Sequence, residues 1–299
     1  MVARRSGGGM AGRRTRRGER GSFAAARRSL SASLALLAAG LAAAGCSPAP
    51  RVVPSPHDRA AAALAPHGYH AWWSRIAEVM EQELGFPPLD TVLVLLPHQH
   101  ALEQELVRDG MPPDLARQAA SRLDAVGRAG KVLANQTSFR ALPWPQRVVA
   151  LAHELTHSAQ YSLSGGRRGG SEQWLREGFA EWVAWRVAEA LRTASAARHR
   201  REARARVAEA RRAGALPPLA ELRSGPDLLA QLARHRRAPI YDQAFLAADL
   251  LVAEHGIARV VEYFRFFAEN DDRELNFQRA FGETHAAFCA RFARALDDL

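Results

Sequence analysis

The sequence predicts an α+β protein in which helices dominate and a small sheet accompanies them. Apolar residues recur at helical spacing along most of the chain from Tyr69 onward, whereas only two short runs have the composition of strands. Of the 299 residues, 47% are hydrophobic, which is the share of an ordinary globular protein and argues against a disordered chain. Two cysteines are too few for a disulfide scaffold, so the fold must depend on an apolar core.

The first half of the folded region is predicted to mix helix and strand. Residues 69–84 carry apolar side chains at helical spacing. Residues 91–96, TVLVLL, form a short apolar run between prolines and predict a buried strand. Residues 101–126 predict helix interrupted by a glycine and two prolines, and residues 131–139, KVLANQTSF, predict a second strand.

The second half is predicted to be helical throughout. Pro145 suits the first turn of a helix over residues 146–163. A loop rich in glycine and arginine follows, and then the remaining predicted helices, at residues 174–197, 198–213, 241–255 and 257–268. The helix over 198–213 is rich in arginine with interspersed glutamates, so we expect it to be a solvated helix.

The net charge of +10 is concentrated at the N-terminus. Residues 1–45 contain nine arginines and a single acidic residue, Glu19, whereas residues 46–299 contain 32 basic and 30 acidic residues. The arginines precede a 16-residue uncharged stretch, 29–44, which is short for a membrane span and typical of a signal-peptide core. The charge therefore indicates export, and we expect no nucleic-acid partner.

The uncharged stretch ends in Ala43-Ala44-Gly45-Cys46, which resembles a bacterial lipobox. The resemblance implies that Cys46 is lipidated and becomes the mature N-terminus, on a membrane of the cell envelope. Plain secretion and a retained membrane anchor are the alternatives. The proline-rich residues 46–56 would then be a tether, and residues 57–299 the folded domain.

The predicted chemistry begins with residues 153–157, His-Glu-Leu-Thr-His. Histidines at positions i and i+4 lie on one face of a helix, so His153 and His157 can reach the same metal ion. Glu154 lies close enough on the helix to act as general base toward a metal-activated water. The bare motif is only moderately specific, so its surroundings decide.

A third ligand is expected from residues 174–182, WLREGFAEW. A catalytic zinc ion takes three protein ligands, and two histidines with one glutamate are an established set. Glu177 is favoured because it lies on the next predicted helix, whereas its rival Glu172 lies in a predicted loop. Glu181, one turn after Glu177, could accept a hydrogen bond from the free ring nitrogen of a ligand histidine.

HELTH followed by Glu177 in EGFAE resembles the gluzincin, or peptidase MA-like, zinc metallopeptidases. The resemblance implies a zincin domain that binds Zn²⁺ through His153, His157 and Glu177, with Glu154 as catalytic base. The segment YDQAF resembles the tyrosine segment of the family, which implies that Tyr241 stabilises the oxyanion of the tetrahedral intermediate.

The implied activity is hydrolysis of peptide bonds in a peptide or protein substrate. No G-x-M-E-N segment is present, so an endopeptidase is favoured over an aminopeptidase. Residues 131–139 are the candidate edge strand for pairing with an extended substrate. The metzincin pattern fails, because Gln160 and Leu163 stand where it requires glycine and histidine. The alternative is a zincin-fold binding or assembly factor of the envelope that does not hydrolyse.

Overall fold

The computed structural model of the protein describes residues 52–53, 68–166 and 170–299. The predicted signal segment, Cys46 and most of the tether lie outside these residues. The strands are β1 Val52–Val53, β2 Val92–Leu96, β3 Ala125–Arg128 and β4 Lys131–Asn135. The helices are α1 Gly68–Gln82, α2 Gln99–Arg108, α3 Pro113–Arg122, α4 Gln136–Ala141, α5 Trp144–Leu163, α6 Gln173–Ala190, α7 Ala196–Arg212, α8 Gly225–Arg234, α9 Ile240–His255, α10 Ile257–Phe266, α11 Arg273–Phe281 and α12 His285–Ala295. The predicted class, a mainly helical α+β protein with a small sheet, is confirmed.

The sheet is mixed and has the strand order β1-β2-β4-β3. Strands β1, β2 and β4 are parallel, whereas β3 pairs antiparallel to β4 through a tight hairpin whose turn contains Gly130 at φ +69°. Glycine is suited to that turn because it has no Cβ to oppose a positive φ.

Two sequence-based expectations about this region are wrong. The segment 131–139 is not an edge strand, because β4 pairs with a neighbour on both sides and ends at Asn135, whose side chain caps α4 by accepting from the Thr137 amide. The segment 101–126 is not helical to its end, because Ala125 opens β3. With only four residues, one of them Gly127, β3 has little strand signal of its own. Its pairing with β4 makes it a strand.

Each face of the sheet covers its own group of apolar side chains. On one face Leu93, Val132 and Ala134 join the main core, which contains most of the helices. On the other face Val126 and Leu133 pack with the buried sides of α2 and α3. The alternation follows from the two-residue period of a strand, which sends neighbouring side chains to opposite faces.

Helices α5 and α6 pack against each other, and α5 also lies against β3. Helix α9 covers α6 on another side at very short range, at Gly178. A Cβ atom on Gly178 would lie 2.0 Å from the Ala244 carbonyl oxygen, so only glycine permits this approach.

The helix expected over 174–197 ends earlier than predicted, and the next helix begins at Ala196 instead of residue 198. Helix α6 ends at Ala190, Arg192 takes a left-handed φ of +56°, and α7 restarts with the Ser195 hydroxyl accepting from the Arg198 amide. Serine competes with helix continuation by capping the next helix. Helix α7 is also more than a solvated helix, because two of its arginines pair with acidic residues of α9.

Among the described residues, no helix combines the length and the apolar character that a membrane span requires.

Candidate metal centre

The two histidines of the HELTH motif and Glu177 meet between α5 and α6. His153 Nε2 and His157 Nε2 are 3.0 Å apart, and Glu177 Oε2 lies 3.6 Å from the first and 3.5 Å from the second. The exposed fraction of each residue is between 2% and 4%, so all three face the interior of the protein. The structure thus gathers a buried His-His-Glu group that could hold a metal ion.

The donor set fits a divalent metal, and zinc in particular. One ligand atom from each residue lies within 4.8 Å of the other two, and Glu177 Oε2 is buried with no hydrogen-bond partner among the described residues. A buried carboxylate oxygen without a donor is costly unless a cation satisfies it. Two imidazoles and one carboxylate are also a ligand set of catalytic zinc sites.

The charges around His153, His157 and Glu177 favour a positive charge between these three side chains. Burial pushes the pKa of Glu177 upward, but the imidazoles of His157 and His153, 3.5 and 3.6 Å away, outweigh it and hold that pKa far below its usual range. Burial alone would lower the pKa of His153, yet the nearby carboxylates of Glu177 and Glu181 raise it to about 10. The carboxylates around the histidines therefore create a negative potential that a divalent cation would satisfy.

Each candidate ligand is held by a further side chain. His153 Nδ1 lies 3.3 Å from Glu181 Oε2, and His157 Nδ1 lies 2.9 Å from Gln160 Oε1. On the other helix, Gln173 Nε2 donates to Glu177 Oε1 over 2.6 Å. Contacts of this kind orient an imidazole and select the tautomer that presents Nε2 to the metal.

Two of these supporting residues, Gln160 and Gln173, were not predicted from the sequence to belong to the site. Gln160 follows His157 by three residues and Gln173 precedes Glu177 by four, so both spacings place the pairs on one helix face. Gln160 is fixed in turn by donating from Nε2 to the Arg176 carbonyl oxygen over 3.1 Å. The sequence signal that could have identified both glutamines is their helical spacing from the ligand residues.

Glu154 lies on the side of α5 that faces β3. Its Oε2 accepts a hydrogen bond of 2.6 Å from the Gly127 amide. Burial raises the pKa of Glu154, although the charges of His157 and His153 and the Gly127 bond act in the opposite direction. A Cβ atom on Gly127 would lie 2.3 Å from the Glu154 carbonyl oxygen and 2.9 Å from His157 Cβ, so a glycine is required where β3 crosses α5.

Tyr241 stands in the first turn of α9. Its hydroxyl is buried and has no hydrogen-bond partner among the described residues. Burial and the negative charges of Glu177, Glu154 and Glu181 raise its pKa well above the usual value, so the hydroxyl keeps its proton. The structure thus brings an unpartnered donor within electrostatic reach of the carboxylates of the site.

The rival third ligand, Glu172, lies outside the metal group. Its carboxylate is fully buried and accepts 2.6 Å and 3.1 Å hydrogen bonds from Arg223, and its amide donates to the Tyr263 hydroxyl over 2.9 Å. Glu172 therefore anchors the start of α6, while Glu177, further along the same helix, joins the histidines.

A second set of residues in the described chain has the spacing of a metal group, namely Glu254, His255 and Glu283. It is exposed to half-buried, and Arg291 bonds to both of its carboxylates at 2.5 to 2.9 Å. An arginine already neutralises this set, whereas among the described residues Glu177 forms ion pairs with the two histidines and with no arginine or lysine.

No protein-family model, no curated protein and no solved structure matches this chain. The class of site is therefore defined by its own residues, as a buried two-histidine, one-glutamate centre that could bind a metal.

Proposed function

We propose that the protein is a zinc-dependent metallopeptidase of the gluzincin type, and more specifically an endopeptidase. The observation that carries the proposal is the buried group of His153, His157 and Glu177 with the carboxylate of Glu154 beside it. When bound, zinc supplies Lewis acidity that polarises a carbonyl group and acidifies water. A structural zinc site usually has four protein ligands, so three ligands support a catalytic site with a position left for substrate.

Glu154 is the general base in this proposal. It accepts the proton of the water that attacks the scissile carbonyl carbon, and it then returns a proton to the leaving nitrogen. Burial, which raises its pKa above the ordinary value, makes the carboxyl group a better proton acceptor. The bond from Gly127 fixes one carboxylate oxygen, so the side chain keeps a single orientation during proton transfer.

Tyr241 is the donor to the oxyanion. Its hydroxyl stays protonated and has no competing acceptor among the described residues, so it can donate to an oxygen that becomes negative during the reaction. Such a donor acts more strongly on the transition state than on the substrate, because the charge develops only there.

The substrate in this proposal is an extended peptide that pairs with the sheet. The strand order favours β3 over β4 as the pairing strand, because β4 already has two neighbours. A peptide laid along β3 reaches the general base, since Gly127 of β3 contacts Glu154.

The site of action in this proposal is the cell envelope, with Cys46 as the lipid anchor. The near balance of charge over residues 46–299 supports a protein substrate and no nucleic-acid partner.

Metal content and peptide cleavage, measured on the full-length chain in detergent, test the proposal. Glu154→Gln is compared with wild type, and Glu209→Gln on the exposed face of α7 is the matched control. All three proteins are expected to hold one zinc ion, and Glu154→Gln to lose about 10²- to 10⁴-fold in kcat. Equal cleavage by wild type and Glu154→Gln would contradict the assigned base, and a wild type without stoichiometric zinc would contradict the site.

The near-complete burial of all three ligands favours one second candidate, a zincin-fold binding or assembly factor in which zinc is structural. Stoichiometric zinc in a wild type that cleaves neither casein nor a peptide library would support this candidate over the peptidase.

A further inference from the structure

We propose that His199 on α7 is a positioning residue of the metal centre, acting through Glu181 on the ligand His153. The inference depends on the proposed zinc site but not on which substrate is cleaved. It brings into the site a third helix that supplies no ligand.

The side chain of Glu181 lies between two histidines. Its Oε2 is 3.3 Å from His153 Nδ1, and its Oε1 is 3.7 Å from His199 Nε2. The same Oε1 accepts a 2.7 Å hydrogen bond from Trp185 Nε1. The side chains of His153 and His199 are only 3% and 5% exposed, so these contacts are shielded from solvent.

The imidazole of His199 is itself held in place. The Trp185 ring stacks on it with centroids 4.0 Å apart and planes inclined by 11°, and the Phe245 ring meets it edge-on at 4.7 Å. Trp185 therefore both supports the imidazole and donates to the carboxylate that the imidazole faces. This arrangement keeps His199 Nε2 within ion-pair distance of Glu181 Oε1, at 3.7 Å.

Two ion pairs fix α7 on α9 on either side of this contact. Arg200, the residue after His199, binds Asp249 through two hydrogen bonds of 2.6 and 2.7 Å. Arg206 binds Asp242 through two hydrogen bonds of 2.6 Å, directly beside Tyr241 in the sequence. A bidentate pair of hydrogen bonds from an arginine to a carboxylate specifies geometry as well as contributing energy. Helix α7 is thus held in the register that places His199 at Glu181.

The consequence concerns the geometry of His153. A carboxylate with partners on both oxygens has one preferred orientation, and Glu181 passes that orientation to the His153 ring through Nδ1. Loss of the His199 contact would leave Glu181 Oε1 held, within the described part of the chain, by Trp185 alone, so that Glu181 is freer to rotate and His153 less often aligned for the metal. Changes in this outer layer of contacts weaken metal binding by about 10- to 100-fold.

The test measures zinc affinity of the full-length chain in detergent by competition with a chelator, with kcat, KM and thermal unfolding measured in parallel. His199→Phe keeps a ring between Trp185 and Phe245 but removes both nitrogens. His199→Gln restores a donor. His285→Phe is the matched control, because His285 is a buried histidine whose contacts are with other residues: its ring stacks on Trp174 with centroids 6.1 Å apart, and its Nε2 lies 3.5 Å from Glu172 Oε2.

We expect His199→Phe to weaken zinc binding about tenfold and to lower kcat with KM unchanged, and His199→Gln to recover most of the loss. His285→Phe is expected to stay within about twofold of wild type in zinc affinity, because no polar contact of His285 within the described residues involves one of the three candidate ligands. Should His199→Phe not fold, His199→Leu also removes both nitrogens and must weaken zinc binding in the same way.

Wild-type zinc affinity in His199→Phe, or a loss shared equally by His285→Phe, would overturn the inference and leave the proposed function standing. Weakened zinc binding in a protein that cleaves no peptide would support the inference and count against the peptidase. A wild type that binds no zinc would overturn both.

Discussion

The Gly127 amide donates a 2.6 Å hydrogen bond to Glu154 Oε2, and this contact joins the edge strand β3 to the proposed general base on α5. The contact requires the two backbones to approach so closely that no side chain fits between them. Strand and helix are therefore positioned by the same residue that orients the carboxylate.

The first prediction follows from the short distance between the backbones of β3 and α5 at Gly127. Gly127→Ala would put a Cβ atom 2.3 Å from the Glu154 carbonyl oxygen, so β3 and α5 must separate. We expect a loss of about 1–3 kcal/mol in the free energy of unfolding, together with a lower kcat because Glu154 loses its anchor. Urea unfolding and peptide cleavage are the measurements.

Gly170→Ala is the control for Gly127→Ala, since its Cβ atom would have its nearest neighbours at 3.7 Å, an ordinary contact distance. Unfolding curves of the two variants that coincide would contradict the proposed crowding at Gly127.

The second prediction concerns Tyr241, whose hydroxyl is buried without a partner among the described residues. Tyr241→Phe removes a polar group that gains nothing in the folded protein, so stability is expected to be unchanged or slightly higher. Removing the proposed oxyanion donor is expected to lower kcat by about 10²- to 10³-fold with zinc affinity unchanged.

Tyr263→Phe is the matched control for Tyr241→Phe. The Tyr263 hydroxyl accepts from the buried Glu172 amide over 2.9 Å, so its removal is expected to cost about 1–3 kcal/mol of stability. Thermal unfolding should therefore show a loss of stability in Tyr263→Phe and none in Tyr241→Phe. Steady-state kinetics should show the large loss of kcat in Tyr241→Phe. A full kcat in Tyr241→Phe would end its assignment as the oxyanion donor.

The third prediction separates the two glutamates that competed for the third ligand. Glu177→Gln removes the carboxylate that lies within 3.6 Å of the Nε2 atoms of both histidines, and it is expected to abolish stoichiometric zinc binding. Glu172→Gln is expected to keep zinc and instead lose about 1–3 kcal/mol of stability, because Arg223 keeps only its exposed ionic partner Glu274. The Arg223 side chain is 32% exposed, so solvent places the loss toward the lower end.

Zinc content by elemental analysis and urea unfolding check the third prediction. The reverse pattern, with zinc lost in Glu172→Gln and kept in Glu177→Gln, would identify Glu172 as the ligand.

Part of the candidate site was predictable from the sequence because it depends on local geometry. An α-helix places residues four apart on one face, so the HELTH motif alone brings His153 and His157 to one point. The mainly helical fold class was predictable for the same reason, since the 3.6-residue period of apolar side chains is a local signal. For this reason α5 and the first part of α6 lie where the sequence predicted them.

The strands were less predictable because strand order is a non-local property. Residues 131–139 have strand composition at their start, but no local pattern tells whether a strand has one neighbour or two. Strand β3 lacked a signal altogether, since Gly127 and Arg128 are poor strand formers. Its position at the edge depends on the hairpin with β4 and on packing against α5.

By itself, the sequence determined the helix that carries both histidines, the two candidates for the third ligand, and the concentration of charge in the first 45 residues. Only the tertiary structure decided that Glu177 joins the histidines while Glu172 pairs with Arg223, and that His199 of a separate helix meets Glu181. The physical reason is that side-chain spacing within a helix is determined by local backbone geometry. Which helices approach one another depends on the packing of the whole apolar core.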